Sequence, residues 1–103
     1  MNEEMRLKAI KKAEQSISSY KISAIGLSRN GNVIASAMNR PRFGRYGGGV
    51  HAEMEVLRKG AGKISTIILC RVGLSGKVRP IHPCESCQKV LDKYGIKVIT
   101  VES

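Results

Sequence analysis

Apolar residues recur every four positions near the start of the chain. Met5, Ala9, Ala13 and Ile17 share one face of an amphipathic helix predicted over residues 3–18, with Leu7 and Ile10 nearby and charges elsewhere. At Tyr20-Lys21 the period changes. Residues 21–28 and 32–38 are short apolar runs joined by Arg29-Asn30-Gly31, a turn that predicts two antiparallel strands in a hairpin. Between Asn39 and Gly49, Pro41, Gly44 and three consecutive glycines predict an ordered turn running into a flexible loop. Ala52, Val56 and Leu57 then fit a helix from Val50 to Arg58, stopped by Gly60 and Gly62. Ile67-Ile68-Leu69, within Ile64 to Cys70, is the continuous apolar run of a strand covered on both faces. A loop from Arg71 to His82 follows. Pro83 then precedes a helix through Tyr94 with Val90 and Leu91 inward, Gly95 closes it, and Ile96 to Val101 makes a last strand.

The order α-β-β-α-β-α-β predicts an α/β fold, a three-layer α-β-α sandwich with a mixed sheet. An antiparallel hairpin leads, and right-handed crossovers carry the later strands. With 103 residues, the chain reads as a single domain spanning 1–103 with one core. There is no internal repeat and no low-complexity tract.

Composition narrows the class. With 42% hydrophobic and 25% charged residues, the chain is neither disordered nor fibrous, and its few aromatics leave Ile, Val, Leu, Met and Ala to fill the core. No apolar stretch approaches the ~18 residues of a membrane span, and the acidic start Met1-Asn2-Glu3-Glu4 does not resemble a secretory signal, so a cytoplasmic location is expected. Three cysteines cannot all pair within the chain, and two stand as C-x-x-C, a spacing of metal sites and redox pairs. The net charge of +10, from 18 basic and 8 acidic residues, predicts attraction to nucleotides or nucleic-acid backbones.

The chemistry concentrates in two motifs. His51-Ala52-Glu53 is followed, after 29 residues, by Pro83-Cys84-Glu85-Ser86-Cys87. One imidazole and two thiols make three zinc ligands, leaving a fourth position for water and Glu53 as a carboxylate that need not bind the metal. Each motif opens a helix just after a loop, so both helix N-termini can converge at one end of the sheet. Cys84 and Cys87 share a face of the first turn, where the helix dipole favours thiolates. His51 and Glu53 are two apart and diverge on an ideal helix, but at a helix start both can reach one pocket. A closed structural zinc site in a basic nucleic-acid-binding module is the rival reading, with Cys70 or His82 as fourth ligand. A thioredoxin-like redox pair explains neither His51 nor Glu53.

His51, Ala52, Glu53, Pro83, Cys84 and Cys87 together match the H-x-E and P-C-x-x-C signature of zinc-dependent base deaminases. On these residues and the element order, the chain resembles the cytidine and deoxycytidylate deaminase superfamily, whose relatives include tRNA adenosine deaminases and polynucleotide cytosine deaminases. The resemblance implies a cytidine-deaminase-like fold, here without the helix and strand that most relatives add after the fourth strand, and hydrolytic deamination with Zn2+ as cofactor. It implies His51, Cys84 and Cys87 as ligands and Glu53 as proton shuttle. Backbone amides at Ala52 and Cys84 would hold the base and the developing charge. Asn39-Arg40-Pro41 resembles the turn that carries a sugar-binding asparagine, which assigns the ribose contact to Asn39.

Substrate identity falls to the basic segments flanking that pocket. Arg40, Arg42 and Arg45 lie in one, and Arg71, Lys77 and Arg79 in the other, as candidate phosphate or nucleic-acid contacts. Phe43 and Tyr46 lie among the first set and could stack bases or anchor the loop. The expected substrate is a cytosine nucleoside or nucleotide, with cytosine or adenine in RNA or single-stranded DNA as the alternative. The last strand would present an open edge, so a homo-oligomer is expected. Cys70 reads as a buried strand residue.

Overall fold

The computed structural model describes residues 3–16, 21–41, 49–50, 52–60, 62–73, 75–81 and 85–101. Its elements are α1 (Glu3–Glu14), β1 (Lys21–Leu27), β2 (Val33–Met38), β3 (Arg40–Pro41), β4 (Gly49–Val50), α2 (Ala52–Gly60), β5 (Thr66–Val72), β6 (Val78–Arg79), α3 (Glu85–Lys93) and β7 (Lys97–Thr100). β1 pairs antiparallel with β2 on one side and with β5 on the other. The far edge of β5 is shared. β7 runs parallel to Thr66–Leu69, and β6 runs antiparallel to Arg71 and Val72. The sheet is therefore mixed, as expected from an order in which a hairpin precedes helical crossovers.

Alternation along β5 assigns the two faces. Ile68, Cys70 and Val72 join Ile25, Ala9, Ala13 and Val101 in the core beneath α1. Ile67 and Leu69 point the other way, into a core with Ala24, Ala52, Val56, Ile64, Leu91 and Ile96 that is roofed by α2 and α3. Two polar contacts lock α1 in place: the buried Ser23 hydroxyl donates to the Ala9 carbonyl at 2.6 Å, and Ser16 reaches Asn39. α2 lies close on β1 because position 26 is glycine. A methyl there would stand 2.6 Å from both Val56 Cγ1 and Ile64 Cδ1, well inside contact distance.

The termination of α3 is as expected. Ile96 N–H donates to Leu91 O at 2.9 Å and Gly95 N–H to Asp92 O at 3.1 Å, the paired bonds of a Schellman cap. Gly95 supplies the positive φ of 67° that this cap requires. Ile96 and Leu91, brought together by it, share one core.

Several boundaries differ from the sequence reading. α1 ends at Glu14, four residues early, because Ser16 turns its side chain to Asn39. The expected strand from Ile64 to Cys70 runs instead over Thr66–Val72, since β1 pairs along its whole length as far as Lys21 opposite Val72. The expected loop from Arg71 to His82 contains a hairpin: Gly73 N–H donates to Lys77 O at 2.8 Å, and Val78-Arg79 return against β5. Within the expected loop from Asn39 to Gly49, Arg40-Pro41 pair with Gly49-Val50 as a two-stranded ribbon. α2 starts at Ala52 rather than Val50 and runs through Gly60, where the glycine is packed against Ile64.

This topology fixes where the helices begin. Gly60, the last residue of α2, lies beside Ile34 at the start of β2, so α2 begins at the opposite end, where β2 finishes. α3 finishes where β7 starts, beside Thr66 at the start of β5, and so begins near the end of β5. The end of β5 faces the start of β1, and Asn39 N–H bonds Ile22 O there at 2.9 Å. Both helix N-termini thus open at one end of the sheet.

Candidate active site

At that end α2 presents Ala52 and Glu53, both buried, with Glu53 only 4% exposed in spite of its charge. A second carboxylate, Glu55, stands on the same helix. Glu55 Oε2 accepts a 2.8 Å bond from Arg58, three residues on, whereas Glu53 makes no hydrogen bond or ion pair with another described residue. The helix thus pairs one carboxylate and leaves the other unpaired among the described residues.

Cys87 occupies the third position of α3 and is 4% exposed. The positive end of the helix dipole lies beside it, the setting in which thiolate ligands are stabilised. His51 and Cys84, the other two expected ligands, lie outside the described residues, as does His82. Among the described residues no group of three His, Cys, Asp or Glu gathers around a point. The donor set nevertheless suits a metal: the Cys87 thiol is buried in the first turn of α3, and His51 immediately precedes α2 in the sequence. Cys70 is not among the donors. It belongs to the core beneath α1, on the opposite face of the sheet from α3, so it cannot complete a closed four-ligand site with Cys87.

Asn39 is held from three directions. Its Oδ1 accepts from Ser16 Oγ at 2.8 Å and from Ile22 N–H at 2.9 Å, while its own carbonyl lies 2.8 Å from the same hydroxyl. These bonds orient the amide, because only the oxygen can accept from a backbone N–H. A sugar contact by Asn39 would therefore come from its amino group. Sequence reasoning missed Ser16 and Ile22 as the residues that set this orientation. Nothing in the sequence singles out Ser16, which stands beside Gln15 and close to Ser18 and Ser19.

The candidate basic contacts divide. Arg40 lies on β3, and Arg42, Arg45, Phe43 and Tyr46 lie outside the described residues. Lys77 is exposed in the β5–β6 turn. Arg71 and Arg79, expected on a loop, are instead directly opposite one another on β5 and β6. Ile22, across β1 from Arg71, and Ile81, two residues beyond Arg79, both pack against the α2–α3 core, which places the two arginines on that face.

Residues 2–103 match the model of the cytidine and deoxycytidylate deaminase zinc-binding region. No curated protein matches the chain. Among solved structures, the cytidine deaminase of Mycobacterium tuberculosis is similar with a TM-score of 0.68 at 21% identity, over 99% of this chain and 85% of that one. The cytidine deaminase of Mycobacterium leprae has a TM-score of 0.68 at 17% identity, over 97% of this chain and 88% of the other. At such identities the structures attest the fold, and the family rests on the match that spans nearly the whole sequence. Its order of elements, helices on both faces and paired helix starts all agree with that match: the chain belongs to the cytidine and deoxycytidylate deaminase family, whose cofactor is zinc.

Proposed function

We propose that this protein is a hydrolytic deaminase that converts cytosine to uracil in a nucleoside or nucleotide and releases ammonia. The observation that carries the reading is the buried Glu53, with no partner among the described residues, at the same end of the sheet as the buried Cys87. His51, Cys84 and Cys87 would hold the zinc ion, which when bound supplies the Lewis acidity that makes water a nucleophile near neutral pH. Glu53 takes a proton from that water and delivers it to the ring nitrogen. Water adds at the ring carbon bearing the amine, the bond from that carbon to the amine breaks, and the second proton moved by Glu53 leaves with ammonia. Ala52 opens α2 and Cys84 precedes α3 in the sequence, and free backbone N–H donors at a helix start can hold a developing negative charge. Asn39, through its amino group, would hold the ribose.

Other parts of the reading rest on physical fit. Reduced thiols are needed as ligands, which suits a cytoplasmic location. No helix among the described residues is long and apolar enough to cross a membrane. Self-association is supported by β7, whose only described partner is β5, and by an apolar groove between α2 and α3 lined by Met54, Leu57, Val90, Tyr94 and Ile96. The test of the activity is ammonia release from cytidine and its monophosphate by the zinc-loaded protein and by Glu53→Gln. The variant should keep zinc and fold and lose about 100-fold or more in kcat. Unchanged ammonia release would remove Glu53 from the mechanism.

A further inference from the structure

β2 is an edge of the sheet: among the described residues its only strand partner is β1. Asn39 N–H bonds Ile22 O across that pair, and main-chain groups alternate in direction along a strand. Those of Ser36 and Met38 therefore point away from β1, to the open side. The strand reads Val-Ile-Ala-Ser-Ala-Met, with no charge and no proline to discourage pairing, and Val33 and Ile34 are 38% and 37% exposed. Lys59 on α2 covers part of this edge, where its Nζ donates to Ser36 O at 3.2 Å.

A cleft of about 180 Å³ follows the edge beside Ala37 and Met38. Lys12 on α1 lines it from one face of the sheet, and Arg58 and Lys59 on α2 line it from the other. Glu55 also lines the cleft and is bonded to Arg58 at 2.8 Å, which offsets the arginine and leaves the net positive charge of Lys12 and Lys59. The strands beside it add no negative charge, since no acidic residue lies between Glu14 and Glu53.

We infer that the β2 edge takes up an extended acidic peptide segment of a partner protein as an additional strand. Open N–H and C=O groups along one edge are satisfied together by another peptide backbone, whereas a nucleic-acid strand has no backbone N–H to offer Ser36 O. Successive side chains of an added strand point to opposite faces. Two neighbouring acidic side chains thus reach Lys12 on one face and Lys59 on the other. Lys59 then exchanges a neutral carbonyl for a carboxylate, the stronger acceptor, and frees Ser36 O for a peptide N–H. A second copy of this chain is a poorer occupant: β2 offers no acidic side chain, and each copy would bring its own Lys12 and Lys59 to the shared edge. Binding at this edge requires no catalysis and stands or falls apart from the deaminase reading.

The test adds to the full chain a short blocked peptide of valine and threonine with two adjacent central glutamates. Hydrogen exchange followed by NMR should find the Ser36 and Met38 amides fast in the free protein and about tenfold or more slower at saturation with peptide, while those of Ala35 and Ala37, which face β1, change little. Fluorescence anisotropy should show about tenfold weaker binding when the glutamates become glutamines, when the peptide N–H groups facing β2 are methylated, or when the protein carries Lys12→Gln or Lys59→Gln. Lys93→Gln, at the far end of α3, should bind as wild type does. Unchanged exchange at Ser36 and Met38, or an equal loss with Lys93→Gln, would overturn the site. Equal binding of the glutamine peptide would overturn the acidic character of the partner, and equal binding of the methylated peptide would overturn strand addition. Protection of the same amides that grows with protein concentration alone would make the occupant a second copy, and tighter binding there by an oligothymidylate of equal charge would make it a nucleic acid; either result overturns the peptide.

Discussion

Ser16 and Asn39, 23 residues apart, are joined twice: the serine hydroxyl lies 2.8 Å from both Oδ1 and the backbone carbonyl of the asparagine. One small side chain thereby ties the exit of α1 to the end of β2 and the mouth of the site. Asn39 also satisfies Ile22 N–H at the start of β1. A residue assigned to the sugar is thus part of the fold as well.

Ser16→Ala should lower stability by about 1 kcal/mol, the usual net worth of a hydrogen bond. Asn39→Ala should cost more, about 1–3 kcal/mol, because it strands the Ile22 N–H. Urea unfolding measures both. In activity, Ser16→Ala should raise KM for nucleoside with little change in kcat, and Ser16→Thr, which restores the hydroxyl, should recover part of the loss. A Ser16→Ala protein with unaltered KM would confine the serine to a structural role.

Cys70 gives a pH dependence of known sign. Burial pushes its thiol up from 9.0 to about 11; nearby Arg6 pulls the other way, and Glu14 adds slightly to the rise. Below pH 9 the thiol is protonated in both folded and unfolded chains, and its contribution to stability is fully present. Between pH 9 and about 11 the unfolded chain gives up the proton while the folded chain keeps it, so stability falls as pH rises, by about 2–3 kcal/mol in all. Cys70→Ala lacks this loss. The difference in unfolding free energy between wild type and Cys70→Ala should therefore shift by that amount from pH 8 to pH 11, and a constant difference would refute the late ionisation.

Cys87→Ser should abolish stoichiometric zinc, measured by atomic absorption, because a hydroxyl is a far poorer zinc ligand than a thiolate. Cys70→Ser should keep the metal, since position 70 faces the core beneath α1. Zinc retained by Cys87→Ser would mean that this thiol is not a ligand.

How much of this was legible beforehand depended on the range of the interactions. The four-residue spacing of Ala9 and Ala13 placed α1 correctly, and Ile67-Ile68-Leu69 gave the central strand, because each reflects a local period. The motif residues pointed to the family because their chemistry is unusual and their spacing specific. Where α1 stops was not legible, since the decisive partner of Ser16 lies 23 residues away. Nor was the strand character of Arg71 and Arg79: a segment holding Gly73, Gly76 and Pro80 reads as a loop, and only pairing with β1 and β5 makes the arginines extended. The division of labour between Glu53 and Glu55 was within reach, because Glu55 and Arg58 stand three apart on a helix.

The β5–β6 hairpin has a consequence for how this fold can change. Its turn, between Gly73 and Lys77, contributes no described side chain to either core, and a backbone hydrogen bond closes it at the base. Glu53 and Cys87 sit on helices anchored elsewhere. On the proposed deaminase reading, substitutions in the turn would retune which substrates enter while Glu53 and Cys87 stay in register, so selectivity and chemistry would be free to evolve on separate schedules.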